Sequence, residues 1–494
     1  MNEKLSFLGR MIPFRKHQVR MFLPLVHLAK FSAILCALFL VPVSAKAQPS
    51  GQYHCAFSVI GQSSRLSIDI RKGLVKYEID LSLPDNEEQK AVRLDKVNVS
   101  DSALTFAWTA YGIVFKGKYY ASGDSISGEM TQSSLKWPVT FLRDLPERIE
   151  LKRPQQPIEP FEFISEDHLV SNGKITLGAS LTLPKDYTPG KWIPFVVLAS
   201  GSGAQDRNCE IMGHQPFLVI ADYLAQNGIA CVRFDDRGVG KSTGVFQLAT
   251  LEDFASDVNA IVNHFAKDSR FKTSPIGVAG HSEGGMHALI AASKNKKIKF
   301  VIELASVGTS GRNVLVEQQY LIPLKSGLSE EMALWNRSVY ANISDLLITT
   351  PTKNRADALG LLLDSLYATA PSEYKAENGF AQFKMGMMLF ANNEWLTQFV
   401  RYDAAKYLQK LKIPILAING GEDIQVPAKS NQLGFEQHFS AASKQAGSKA
   451  IVIDGLNHLF QTCIKCTIME YGDLEETFSP LVMEEMVRWI NGLR

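Results

Sequence analysis

Apolar residues follow two rhythms along this chain, and the change between them divides it. Between residue 50 and about 147, short runs alternate apolar with polar: Ser67-Ile68-Asp69-Ile70, Lys76-Tyr77-Glu78-Ile79, Leu104-Thr105-Phe106-Ala107-Trp108 and Ile113-Val114-Phe115. Turn signals such as Leu83-Pro84-Asp85-Asn86 and Ser122-Gly123-Asp124 separate them. A period of two puts one strand face inside and the other in water. Residues 48–147 are therefore expected to form a β-rich accessory domain, a small antiparallel barrel or sandwich. His54 and Trp108 read there as core or surface residues, not as a site. Residues 148–160 hold Pro154, Pro157 and Pro160 and read as a linker.

From residue 161 the rhythm changes. Buried-type apolar runs at 193–200, 229–234, 275–280, 299–305, 413–419 and 450–453 predict strands, preceded by strand-like 161–165 and 175–183. Between them, spacings of three and four predict helices at 217–226, 251–266 and 284–293. Strands without polar alternation, separated by helices, imply a mostly parallel sheet covered on both faces. The alternation stops near 308 and resumes at 413. The hundred residues between are rich in Leu, Met, Ala and aromatics, with helices expected at 326–339 and 354–367. An insertion after a strand of such a sheet is placed to cover a site, so 306–405 reads as a helical cap within a catalytic domain spanning 161–494.

A third pattern occupies the N-terminus. Basic Arg10, Arg15, Lys16, Arg20 and Lys30 stand against one acid, Glu3. The apolar run 31–43 follows, then Ala45-Lys46-Ala47. That order is a basic region, a hydrophobic core and a signal-peptidase site. The run is shorter than the roughly 20 residues of a membrane span. The expectation is a signal peptide at 1–47 and a periplasmic or secreted protein with no stable span after cleavage.

Charge and cysteines change this picture in two ways. The chain of 494 residues has a formal net charge of +2, from 52 basic and 50 acidic residues. Seven of the basic residues and one acid lie in 1–47, which leaves the remainder at −4. The positive balance thus belongs to the export signal, and no nucleic-acid partner is expected. Five cysteines remain after cleavage: Cys55, Cys209, Cys231, Cys463 and Cys466. Cys463-Ile464-Lys465-Cys466 is a CxxC, but a zinc site needs a second ligand pair and the chain has no second CxxC. A local disulfide or reduced thiols are expected, with no metal and no cofactor.

The candidate chemistry centres on Gly280-His281-Ser282-Glu283-Gly284, placed between a predicted strand and a predicted helix. This is the setting of a nucleophile elbow, in which a sharp turn exposes the serine and small flanking residues permit close packing. A serine hydroxyl needs a base. Strand 413–419 is followed by Gly420-Gly421-Glu422-Asp423, and strand 450–453 by Asp454-Gly455-Leu456-Asn457-His458. The order Ser, acid, His points to Ser282, Asp423 and His458, with Glu422 as the alternative acid. His281 is expected to face packing. Oxyanion donors are expected from the backbone N–H of Glu283 and, in the loop after strand 193–200, of Ser202, with Gly203 next. Gly240-Lys241-Ser242 resembles the end of a phosphate loop, but Asp235 stands where that motif needs glycine. Asp236 and Arg237 are expected to form local ion pairs and turns.

Together, ASGSGAQDRN (199–208), FDDRGVGKSTG (234–244), GHSEGG (280–285), NGGEDIQVP (419–427) and LNHLFQ (456–461) resemble the bacterial secreted serine esterases of the α/β-hydrolase superfamily. That family is similar also in carrying a β-rich domain in front. The resemblance covers residues 160–494 well and 50–147 loosely. It implies an α/β-hydrolase fold and hydrolysis of carboxylic esters with short acyl chains through an acyl-enzyme. The sequence departs at Ala204, where proline is usual, and at Asn208-Cys209, where acids are usual, beside the oxyanion loop. Two other readings stay open: a serine aminopeptidase, acyl-peptidase or thioesterase, for which Glu317, Glu330 or Glu331 could anchor an amine, and a non-catalytic binding protein on the same fold.

Overall fold

The computed structural model describes residues 48–493, apart from 60–61, 87–89, 110–111, 120–121, 133–134 and 378. The expected signal peptide, residues 1–47, lies outside the described residues. Among the described residues no helix is long and apolar enough to cross a membrane.

The first unit is an antiparallel meander: β1 Gly51–Val59, β2 Gln62–Lys72, β3 Tyr77–Ser82, β4 Val92–Arg93, β5 Asp95–Val99, β6 Ala103–Trp108, β7 Ile113–Tyr119, β8 Ser125–Gln132 and β9 Leu135–Leu142. The hydrogen-bonded order runs from β4 through β3, β2, β1, β9, β8, β7 and β6 to β5. The two outermost strands, β4 and β5, are joined by a single residue, Leu94. A sheet whose edges are consecutive in sequence has to close, so the unit is a barrel, with Leu94 N–H donating to Ile79 O at 2.9 Å across the seam. Lys96 turns to positive φ there and the β5–β6 register shifts, a bulge that bends the strand into closure. Alternate side chains fill the interior, including Tyr53, Phe106, Phe115 and Phe141. Trp108 belongs to this core, and His54 bonds the Ser67 hydroxyl across the β1–β2 pair.

The connection 148–160 is a strap, not a free linker. Arg153 donates to the carbonyls of Leu474 (3.0 Å), Met212 (3.3 Å) and Gly472, while Gln155 donates to Phe478 O at 2.8 Å. Prolines suppress helix and strand, and a turn closed by Gln156 N–H donating to Arg153 O at 3.0 Å sets these long side chains against the neighbouring surface.

The second unit is built on β10 Phe163–Asn172, β11 Ile175–Pro184, β12 Phe195–Ala199, β13 Ala230–Phe234, β14 Ile276–His281, β15 Ile298–Leu304, β16 Ile415–Gly420 and β17 Lys449–Ile453. Their order is β10-β11-β13-β12-β14-β15-β16-β17. The first three strands pair antiparallel and the rest parallel. In β12, Phe195 and Val197 face one core while Val196 and Leu198 face the other. Both faces are covered, which is why these strands show no polar alternation. Helices α1 Pro216–Gln226, α2 Leu251–Phe265 and α3 Glu283–Lys294 follow the early strands.

Between β15 and β16 the chain forms the cap: α4 Gly311–Lys325, α5 Glu330–Thr349, α6 Arg355–Ala368, α7 Ser372–Glu377, α8 Phe380–Ala391, α9 Glu394–Arg401 and α10 Ala405–Leu408. The helix expected at 326–339 is displaced. Gly327 takes positive φ, and the Ser329 hydroxyl accepts the Met332 N–H at 3.3 Å, so α5 begins only at Glu330. Paired hydrogen bonds from Arg312 to Asp345 tie α4 to α5. The remaining helices are α11 Ala428–His438, α12 Ala441–Gln445 and α13 Pro480–Gly492.

Candidate active site

Ser282 stands alone between the end of β14 and the start of α3, with φ 56 and ψ −123. An L-residue adopts such angles only where its surroundings hold it there. Gly280 and Gly284 explain how they do. A Cβ on Gly280 would lie 2.2 Å from Gly284 O, and one on Gly284 would lie 2.2 Å from Ala199 O. Only glycines allow the turn to pass against β12. Ser282 N–H is fixed to Leu304 O at 2.8 Å.

The structure brings the predicted residues together. His458 Nε2 lies 3.1 Å from Ser282 Oγ, and His458 Nδ1 lies 2.8 Å from Asp423 Oδ2. Asp423 follows β16 and is buried. Its Oδ1 accepts the backbone N–H groups of Gln425 and Val426, both at 2.8 Å, which aims Oδ2 at the imidazole. Glu422 is exposed and faces Lys325 of the cap at 3.9 Å. The alternation of side chains at this turn thus separates the two acids.

Two residues shape the His458 loop. Asn457 Oδ1 accepts the N–H groups of Leu459 (2.9 Å) and Gln461 (3.0 Å). His281 Nε2 sits 2.9 Å from the His458 carbonyl, and with a carbonyl as partner that nitrogen carries the proton and donates. Burial, together with the charge on His458, pushes the His281 pKa down to about 3. It stays a neutral prop for the backbone of the base, a role beyond packing.

The loop after β12 runs beside the nucleophile: a Cβ on Gly201 would lie 3.1 Å from Ser282 Cβ. Two carboxylates hold this loop. Asp236 accepts Ser200 Oγ (2.7 Å) and Gln205 N–H (2.9 Å). Glu283 Oε2 accepts Ser202 Oγ at 2.6 Å. Asp235 adds a third tie just beyond, accepting Arg207 N–H, Arg207 Nε and Lys241 N–H. The expectation for 235–237 is therefore corrected in part. Arg237 does pair with Asp253 and Asp257, but among the described residues Asp236 forms no ion pair and instead straps the loop after β12. Burial raises the Asp236 pKa to about 7, partly offset by those two donors. Nothing local in the sequence marks this role, because the partners lie more than thirty residues upstream.

The CxxC closes on itself as a Cys463–Cys466 disulfide. The Glu470 carboxylate accepts the N–H groups of Ile464, Lys465 and Cys466 in the same loop. With both sulfurs bonded to each other, the cluster Cys463, Cys466 and Glu470 offers no thiolate to a metal. Cys55, Cys209 and Cys231 are free and buried.

A sheet of this order, an elbow after its fifth strand in sequence and a Ser-acid-His order are the defining features of the α/β-hydrolase fold. The sequence family described as serine aminopeptidase, S33, matches residues 215–349, from the start of α1 into the cap. The esterase EstD of Thermotoga maritima is 26% identical over 338 residues, which cover 67% of this chain and 69% of that protein. Solved structures with a similar outline include Est1E from Butyrivibrio proteoclasticus with ferulic acid bound (18% identity, 66% of this chain and 98% of that one, TM-score 0.39). Another is the esterase Pf2001 of Pyrococcus furiosus (16%, 67% and 93%, TM-score 0.37). A proline iminopeptidase of Mycobacterium smegmatis aligns comparably (15%, 66% and 98%, TM-score 0.41).

Proposed function

We propose that this chain is a serine hydrolase that cleaves small-molecule carboxylic esters of short acyl chain. The observation that carries the reading is the continuous chain of contacts Ser282 Oγ, His458 Nε2, His458 Nδ1, Asp423 Oδ2 on a strained elbow. Ser282 Oγ attacks the acyl carbon as His458 takes its proton. The charge developing on the carbonyl oxygen is met by the backbone N–H groups of Ser202 and Glu283. Collapse expels the alcohol, which receives the proton from His458 and leaves an acyl-enzyme. Water, deprotonated by the same imidazole, attacks the acyl carbon and frees the acid and Ser282. Asp423 holds the imidazole in the tautomer this needs and stabilises its cation.

An ester is favoured over an amide by two observations. EstD, the relative of highest identity among those above, is an esterase. The carboxylates that could anchor a substrate amine are committed or turned to water: Glu317 accepts the Ser430 hydroxyl at 2.7 Å, and Glu330 and Glu331 are exposed at the start of α5. A fluorophosphonate is expected to label Ser282, and Ser282→Ala to abolish both labelling and turnover of p-nitrophenyl esters. An unlabelled, folded protein would leave the binding-protein reading standing. Turnover of an amino-acid amide without turnover of p-nitrophenyl acetate would make it a peptidase.

We also infer that residues 1–47 direct export and are removed. The support is the order of basic, apolar and small residues and the disulfide beside the active site, which persists in oxidising compartments. N-terminal sequencing of the processed protein is expected to begin at Gln48.

A further inference from the structure

The carboxylate of Glu283 lies where three separate parts of the molecule meet. Its Oε2 accepts the hydroxyl of Ser202, from the loop after β12, at 2.6 Å. Its Oε1 accepts the indole N–H of Trp395, from cap helix α9, at 2.7 Å. His287, one turn further along α3, places Nε2 3.2 Å from the same Oε1. The side chain is 3% exposed, so these contacts replace water as its partners. Burial alone would raise the carboxyl pKa, but the hydrogen bonds from His287, Ser202 and Trp395 reverse this and hold it below the usual range.

We propose that Glu283 is a positioning residue that couples seating of the cap to assembly of the oxyanion hole, an inference that rests on the reading of Ser282 as nucleophile. One residue serves both donors. Its backbone N–H follows the nucleophile and is one of them, and its side chain holds Ser202, which carries the other. Among the described residues of the cap, Trp395 is the one that hydrogen-bonds this carboxylate. That indole sits at the start of α9, whose first turn is fixed by Asn393 Oδ1 accepting Leu396 N–H. Seating α9 supplies a donor to Oε1, and a fully bonded carboxylate keeps Oε2 directed at Ser202. Withdrawing the cap leaves a buried anion one donor short beside a site that has to stabilise negative charge. The carboxylate then turns toward other partners, and the Ser202 N–H loses its aim. Oxyanion donors work only within a few tenths of an ångström of their mark, so a small turn costs rate and not binding.

The test separates coupling from packing. Trp395→Phe keeps the ring and removes the N–H, and Ser202→Ala removes only the hydroxyl. Both are measured singly and together with p-nitrophenyl acetate, alongside Glu283→Gln, whose amide cannot accept at both positions. Each single change is expected to lower kcat by roughly 3- to 30-fold with KM little altered. The double variant is expected to fall short of the product of the two losses by about threefold or more, since residues sharing one network are not additive. Glu283→Gln should resemble the double variant, with thermal unfolding reporting that each protein is folded. Losses that multiply, or a change confined to KM, overturn the coupling while fluorophosphonate labelling of Ser282 persists. No labelling of the unaltered protein overturns the nucleophile itself, and the coupling with it.

Discussion

At the scale of single residues, the molecule separates groups placed to react, on the reading proposed above, from groups whose burial is a cost. Asp423→Asn preserves the shape of the triad but presents a donor where His458 needs an acceptor. A fall in kcat of roughly 10³–10⁴-fold is expected, with little change in thermal unfolding. His458 must be neutral to accept the Ser282 proton, so kcat/KM should decline on the acid side of its profile, and a rate indifferent to acid would remove it from that role. Glu303 is a different case. It is fully buried on β15, with neither oxygen in a hydrogen bond of good geometry among the described residues. Burial raises its pKa from 4.5 to about 8, and the Ser306 hydroxyl offsets only part of that. Its folded-state pKa is therefore the higher one. The folded protein holds the proton while the unfolded chain releases it above the ordinary value, so stability is lost as pH rises across that window. Glu303→Gln keeps the shape and removes the proton. Its stability advantage over the parent should grow by about 1.4 kcal/mol per pH unit between those two values. Urea unfolding at a series of pH values checks this, and an advantage independent of pH would contradict it. Of these residues the proposed triad was legible in sequence, because chain order and strand ends locate it. Glu303 was hidden, because an apolar-looking strand hides one acid among its neighbours.

At the scale of elements, the loop after β12 is held by several carboxylates, of which buried Asp236 bonds both a side chain and a backbone N–H of the loop. Asp236→Ala removes the acceptor of Ser200 Oγ and Gln205 N–H. It should lower kcat by about 10²-fold, the size of losing one oxyanion donor, while Asp236→Asn, which retains an acceptor oxygen, should lose less. Equal activity in both variants would show that the loop holds its own shape. The loop carrying His458 is followed at once by the Cys463–Cys466 disulfide, which closes a four-residue ring. Replacing both cysteines with serine should cost about 2 kcal/mol or less of stability, as expected for so short a loop. The loss should be visible as a lower denaturation midpoint. The cap shows where periodicity misleads at this scale. Residues 326–339 carry a helical pattern, but Gly327 and the Ser329 cap set the boundary that the pattern alone cannot locate. The Trp395 contact with Glu283 had no signal in the sequence, since it joins residues 112 positions apart.

At the scale of the whole molecule, the strap between the two units belongs to the second. Arg153 and Gln155 bond the carbonyls of Gly472, Leu474 and Phe478, whereas the barrel's own side-chain contribution includes Ser58 Oγ to Asp473 Oδ1 at 3.0 Å. A chain starting at residue 148 is expected to remain folded and active. One starting at 161 should unfold at lower temperature, and equal melting of the two would show that the strap contributes nothing. The sequence by itself determined the β-rich front, the covered parallel sheet behind it, the elbow at Ser282, and the chain order of serine, acid and histidine. Those features depend on local periodicity, on small residues at a tight turn and on the ends of strands, all of which are written in neighbouring positions. Only the tertiary structure decided that the front unit closes into a barrel, that Asp423 and not Glu422 meets His458, that Asp236 straps the loop after β12, and that Trp395 reaches Glu283. Each of these depends on which distant segments are brought within hydrogen-bonding range. Packing settles that globally, because a buried polar group takes whatever partner the fold sets beside it.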